Sequence, residues 1–256
     1  MLKNERQAYI MDLIKRQQYV RVIELKDILG VSDETIRRDL IALEQTGQIH
    51  CVHGGAVYDS SSINEYAVSV RMRQHQAEKE AICREAATLI KSNSSMTIAA
   101  STTVAYLGDH LAKKDNITLV TNSVILANRV SVNGSNKVIL VGGEYWVDDQ
   151  KSMGQMAASE IGRFNTDVAF ISVSGISIEK GMTEYKESEM EITRAVMKSA
   201  KRVILLNDYT KFDIVAFRQV AAVSEISDIV TDWRTSAETI AKYEALGIKV
   251  HVASRK

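Results

Sequence analysis

The sequence predicts an α/β protein in two parts: a small helical region closed by a β-hairpin, then a larger region built on a mostly parallel sheet. Three observations carry this. Apolar residues recur at helical spacing in three short segments before residue 47, a polar stretch follows at 58–64, and from Met96 onward β-prone runs alternate with helical ones.

The first helix is expected over 4–16, with Asn4 as its N-cap and Tyr9, Ile10, Leu13 and Ile14 on one stripe. A second runs over 22–29 and stops at Gly30, a residue that accepts the left-handed conformation of a helix end. Ser32 then supplies a capping hydroxyl, and Asp33 and Glu34 place negative charge where the dipole of a third helix favours it. On that helix Ile36, Leu40 and Leu43 share a face, Thr35, Arg37 and Arg38 point elsewhere, and Gly47 ends it. Residues 48–52 read as a strand turning at Gly54-Gly55.

Residues 58–64 are small and polar, so the expected organisation is a first domain over 1–57, a linker over 58–74 and a second domain over 75–256. The second domain opens with a helix over 77–90. Strands are then expected at 96–100, 117–120, 137–141, 168–172, 202–206 and 226–230, with helices between them. That alternation produces a parallel sheet covered on both faces.

Composition narrows the function. The 45% hydrophobic and 25% charged shares are those of a folded globular protein, and no apolar run is long enough for a membrane span or a signal peptide, so a cytoplasmic protein without membrane association is expected. Cys51 and Cys83 stand apart with no ligand cluster beside them, which supports neither a disulfide framework nor a metal site. No cofactor is implied. Formal net charge is zero, and residues 1–57 are themselves balanced, so any nucleic-acid contact rests on a few cations on one face.

Residues 22–44 have the layout of a helix-turn-helix, in which one helix braces a second whose polar side chains enter the major groove. Ser32, Thr35, Arg37 and Arg38 are the candidate DNA contacts, since arginine either grips guanine in a bidentate fork or clamps a phosphate. Two adjacent arginines read alone also fit a solvated face. The run Val31-Ser32-Asp33-Glu34-Thr35-Ile36-Arg37-Arg38-Asp39-Leu40, continued by Leu43-Glu44, Gly47 and His53-Gly54-Gly55-Ala56, resembles the N-terminal signature of the DeoR family of transcriptional regulators. The resemblance implies a winged helix-turn-helix with the hairpin around 48–56 as wing, and double-stranded operator DNA as partner. Family members often carry a basic residue where this chain has Cys51; His53 is the nearest replacement for a contact there.

In the second domain, polar groups cluster where strands should end: Ser101-Thr102-Thr103, Thr121-Asn122-Ser123, Gly142-Gly143, and Asn207 to Lys211. Ligands of open parallel sheets bind outside the carboxyl ends of strands, so such groups can converge. Hydroxyls and free N–H groups at a helix N-terminus suit an anion, although Ser-Thr-Thr is also an ordinary cap. Lys211 could neutralise a phosphate while Asp208 accepts from a sugar hydroxyl; the two also fit a surface ion pair.

The resemblance extends to about Trp233 and implies a sensor domain with the fold of ribose-5-phosphate isomerase, a phosphorylated sugar or derivative as effector, and repression of a carbohydrate operon; with so few cations on one winged helix, a homo-oligomer, dimer or tetramer, that reads two half-sites at once is also expected. It adds Arg71 and Lys79 as basic effector contacts and Glu189 as an acidic one. Three positions depart from the family pattern: Ala99 stands for an aspartate, Ser101 for a glycine and Thr193 for a lysine. The rival reading is a sugar-phosphate isomerase or deaminase, with Asp208, Glu184 or Glu189 as general base. Ala99 removes one candidate base, and catalysis is not expected. A protein-binding scaffold is a further rival, but it would expose apolar anchors where Arg37 and Arg38 stand.

Overall fold

The computed structural model describes residues 3–17, 19–45, 49–52, 54–58, 68 and 71–255, which form two compact units divided between Arg71 and Met72. The division falls inside the 58–74 segment.

In the first unit, α1 (Lys3–Gln17), β1 (Tyr19–Arg21), α2 (Val22–Leu29) and α3 (Asp33–Glu44) precede a hairpin of β2 (Ile49–Val52) and β3 (Gly55–Tyr58). Asn4 lies inside α1, so it is not the N-cap that the sequence suggested. The local signals at α2 and α3 act as expected. Gly30 ends α2 at φ 63°, and the Ser32 hydroxyl accepts from Thr35 N–H to start α3. The strand β1, invisible to the sequence reading, pairs with β3, giving a three-stranded antiparallel sheet in the order β1-β3-β2. Ile10, Ile14, Leu25, Ile36, Leu40 and Ile49 are fully buried together, so all three helices and the hairpin share one core. The expected end of α3 at Gly47 lies outside the described residues.

The second unit begins with α4 (Gln76–Thr88) and carries a seven-stranded parallel sheet in the order β15-β14-β12-β9-β4-β5-β6. Its strands are β4 (Ser95–Ile98), β5 (Thr118–Thr121), β6 (Lys137–Leu140), β9 (Thr166–Ile171), β12 (Ala200–Leu206), β14 (Asp228–Asp232) and β15 (Lys249–Ala253). Six match the expected runs within a few residues, and β15 was missed. Alternation along the strands builds two cores. Val168 and Phe170 face one side with Ile204, Leu206 and Val230, while Ala169 and Ile171 face the other with Val203, Leu205 and Ile229. α4, α5 (Gly108–Leu111) and α6 (Val124–Val130) cover the first face; α7 (Gly154–Ile161), α8 (Glu187–Lys198) and Tyr243 of α9 (Ala237–Glu244) cover the second.

Two insertions were not legible. β7 (Glu144–Trp146) and β8 (Lys151–Met153) form a hairpin after β6, and β10 (Gly175–Ser177), β11 (Gly181–Glu184) and β13 (Arg218–Ala221) form a small antiparallel sheet. The helix expected between the first two strands is a 3-10 turn over Val104–Leu107 followed by the single turn of α5, a common form for a short connector.

Among the described residues no helix is long and apolar enough to cross a membrane, and no group of His, Cys, Asp or Glu is arranged to hold a metal ion. Both cysteines are free. Burial pushes the Cys83 thiol up, and burial with the nearby Glu44 carboxylate raises Cys51 to about 11, which leaves both protonated and unreactive.

Candidate functional site

In the first unit, α3 presents its polar side outward. Arg37 and Arg38 are exposed, and Arg38 Nε lies 3.2 Å from Glu34 Oε1, with both side chains mostly in water. Such a pair contributes little and yields readily to a phosphate or a base edge. Ser32 and Thr35 share a hydroxyl contact of 2.9 Å at the start of the helix, so their oxygens first serve the cap. His53 lies outside the described residues.

Sequence reasoning missed what aims this helix. Asp39, in the middle of α3, is buried and accepts from Arg6 Nε and, at 3.0 Å, from Gln7 Nε2, both on α1. Glu44 at the other end accepts from the Cys51 N–H of β2 at 2.7 Å, tying the hairpin to α3. One carboxylate ties α3 to α1 and the other ties the hairpin to α3. The signal for Asp39 was available: an acid between Ile36 and Leu40 on an otherwise apolar face.

In the second unit the chain runs β4, β5, β6 in one direction and then returns through β9, on the other side of β4, toward β15. The strand order therefore reverses between β4 and β9, and at such a point the loops leaving the carboxyl ends part and open a cleft. The expected ligand residues at 101–103, 121–123, 142–143 and 208–211 lie at or just after the carboxyl ends of β4, β5, β6 and β12, at this same edge.

Their side chains divide into two groups. Some hold the edge together. Thr121 Oγ1 donates to Ile98 O and accepts from Ser123 N–H, and Ser123 Oγ caps α6 at Leu126 N–H. Asn122 accepts from Ala100 N–H at 2.8 Å and donates to Ser152 O at 2.9 Å, buckling the β4 loop, the β5 loop and β8 together. Ser101 Oγ caps the 3-10 turn by accepting from Val104 N–H. Asp208 is buried and caps the turn that follows it by accepting from Thr210 N–H at 3.0 Å. Gly143, at φ 148°, permits a close approach, since a Cβ there would lie 2.6 Å from Met153 O; Gly142 has open space around it.

The others remain turned to the edge. Lys79, buried on α4, donates from Nζ to Thr102 Oγ1 at 3.2 Å. A lysine and a threonine hydroxyl meet where the β4 loop begins its turn, with Thr103 buried beside them. Lys211, on the 3-10 turn after β12, is half-buried and its ammonium has no ion-pair partner among the described residues. It forms no pair with Asp208, whose carboxylate serves the turn instead. Arg71 is exposed and belongs to the first unit.

A cluster that the sequence did not reveal adjoins this edge. Lys151 of β8 is buried, with Nζ 2.8 Å from Glu189 and 3.0 Å from Asp149. Thr193, standing where a lysine was expected, donates its hydroxyl to Glu189 O at 2.9 Å, and the ammonium facing Glu189 comes from Lys151. Glu184, buried at the end of β11, is held by the Ser174 hydroxyl. Burial first, and then the negative Glu189, raise its carboxyl to about 7 against the opposing pull of Ser174 and Lys151. Asp228, held by Arg202 and His251, is another buried acid, but it begins β14 and so lies at the opposite, amino edge.

Comparison with known proteins agrees with both units. Residues 6–62 match the DeoR-like helix-turn-helix domain and residues 74–233 the DeoR C terminal sensor domain. The chain is 32% identical over 253 residues to the HTH-type transcriptional regulator GolR of Listeria innocua, covering 99% of this chain and 100% of that protein. It is 32% identical over 232 residues to the Glycerol-3-phosphate regulon repressor of Escherichia coli, covering 91% and 92%. Among solved structures, ribose 5-phosphate isomerase from Plasmodium falciparum is similar at a TM-score of 0.37 and 13% identity, over 52% of each chain. The relatives by sequence are named regulators, not enzymes, and the sensor match spans well over half of the chain. The chain belongs to the DeoR family of transcriptional regulators.

Proposed function

We propose that this regulator is a cytoplasmic repressor of a carbohydrate operon, that it binds operator DNA as a homo-oligomer through α3 and the β2–β3 wing, and that a phosphorylated sugar or sugar derivative bound at the switch point of its sheet controls it. The observation that carries the effector reading is the Lys79–Thr102 contact at the carboxyl end of β4, with the free Lys211 ammonium at the carboxyl end of β12. Two cations and a hydroxyl at one sheet edge suit a phosphate. Similarity to a regulator named for glycerol 3-phosphate supports a phosphorylated ligand of that size.

The effector test begins with a thermal-shift screen of phosphorylated sugars, since a ligand that binds only the folded state raises Tm. Operator binding titrated with the ligand so found is then compared between variants. Thr102→Glu places a carboxylate against Lys79, filling the cradle, and is expected to abolish the effector's influence. Lys211→Ala is expected to raise the effector concentration needed about tenfold, the worth of one charge-assisted contact. Both proteins should still bind operator. Unchanged effector responses in the two variants would remove the switch point as the ligand site.

For DNA, Arg38→Ala is expected to weaken operator binding by about 1–3 kcal/mol and to relax discrimination at one base position, as loss of a bidentate base contact does. Arg37→Ala should weaken binding to all duplexes and reduce the slope of log K against log salt by about one. Parent-like binding by both variants would show that α3 does not enter the groove.

A further inference from the structure

On α3, steps of three, four and seven residues return to one side of the helix. Ile41 stands four residues after Arg37, three after Arg38 and seven after Glu34, so it occupies the middle of the face whose borders are the two arginines. The opposite face, with Ile36, Leu40 and Leu43, packs into the core, and Ile41 is 54% exposed. Exposure alone is uninformative, because Ile23 and Ile28 of α2 are similarly exposed and single surface apolar residues are common. The position is what matters. If Arg37 and Arg38 reach a phosphate and a base edge, the side chain between them faces the floor of the groove. That floor displays one apolar group, the C5 methyl of thymine.

We propose that Ile41 is a sequence-reading residue that packs on the C5 methyl of thymine in each operator half-site. The proposal rests on the reading of α3 as the groove-entering helix. In the free protein Ile41 keeps much of its apolar surface in water; against a thymine methyl both surfaces are buried, and against cytosine only the isoleucine gains. The contact involves no charge, so it releases no counterions and leaves the salt dependence of binding untouched. That separates it from both arginines.

The test uses the full chain and duplexes selected by it from a random-sequence library. In the best duplex each thymine is replaced in turn by deoxyuridine, which deletes the C5 methyl and nothing else. The parent is expected to lose about fourfold in affinity at one or two thymines per half-site, the worth of one buried methyl group. Ile41→Ala should bind the parent duplex more weakly with an unchanged salt slope, and should no longer distinguish thymine from deoxyuridine at those positions. A second variant, Ile41→Gln, carries an amide suited to adenine and should enrich adenine there when the library selection is repeated. Parent binding indifferent to every deoxyuridine, or Ile41→Ala retaining the parent's deoxyuridine losses, would overturn the assignment while leaving α3 as the reading helix. Failure of the parent to enrich any duplex would overturn the reading on which it rests as well.

Discussion

Replacing Asp39 with alanine is expected to unfold the N-terminal unit while the second unit stays folded. Asp39 is 1% exposed and is the shared acceptor for Arg6 Nε and Gln7 Nε2, so its removal leaves a mostly buried guanidinium and an amide facing an apolar wall. Breaking one side of a buried ion pair costs about 3–5 kcal/mol. Alanine's better helix propensity returns only about 0.5 kcal/mol at a mid-helix position. A unit that ends at Arg71 has little to spare, since a core of that size supplies a net of about 3–5 kcal/mol. Circular dichroism on heating should therefore show the low-temperature transition of Asp39→Ala moved down or gone, with operator binding lost. Effector binding by the second unit should persist. Asp39→Asn, which keeps an acceptor for Gln7, should fall between. A melting profile of Asp39→Ala within about 1 kcal/mol of the parent would mean that α1 and α3 are held by Ile10, Ile14 and Ile36 alone.

The same residue shows where sequence reading reaches and where it stops. Gly30 and Ser32 were legible because a helix end is decided by the dihedral angle of one residue and a hydrogen bond over three. The pairing of Asp39 with Arg6 spans 33 positions, and no local rule announces it. The strand β1 was missed for a related reason: a segment of three residues has no periodicity to read and exists as a strand only because β3 lies beside it. In the sensor unit the alternating runs gave the parallel sheet, but the order of its strands depends on β4 pairing with β9 about 70 residues away. The switch point, and with it the location of the proposed ligand edge, is therefore a property of the tertiary fold. Individual residues follow suit. Thr121, Asn122 and Ser123 are polar residues at a strand end, as a ligand loop requires, yet Thr121 and Asn122 bond inward to Ile98, Ala100 and Ser152, and Ser123 caps α6. Lys151 lies in a polar stretch that reads as surface, and it is buried because β8 folds back on β7 and bridges to Ser123.

Glu184 yields the second large effect, in stability as a function of pH. Its carboxyl is raised from 4.5 to about 7 in the folded protein, chiefly by burial and then by the negative Glu189. Between those two values the folded state holds a proton that the unfolded chain has already released. Stability then falls as pH rises, because the slope follows the protons bound by the unfolded chain minus those bound by the folded one. The contribution is fully present below about pH 4.5 and is lost as pH passes through about 7. Glutamine is neutral at every pH and keeps an acceptor for the Ser174 hydroxyl. Glu184→Gln is therefore expected to match the parent near pH 4.5 and to exceed it at pH 8 by up to about 3 kcal/mol, at 1.36 kcal/mol per unit. Other acids titrate in both proteins, among them Asp232, which burial also raises, so the quantity to plot is the difference between variant and parent. Urea denaturation at half-unit steps from pH 4.5 to 8 measures it. A difference that stays flat across that range would show that Glu184 is ionised throughout, with Lys151 and Ser174 outweighing its burial. A difference that grows with pH would place a proton on Glu184 at the edge of the sheet, where it can donate to a ligand oxygen below pH 7 and only accept above it.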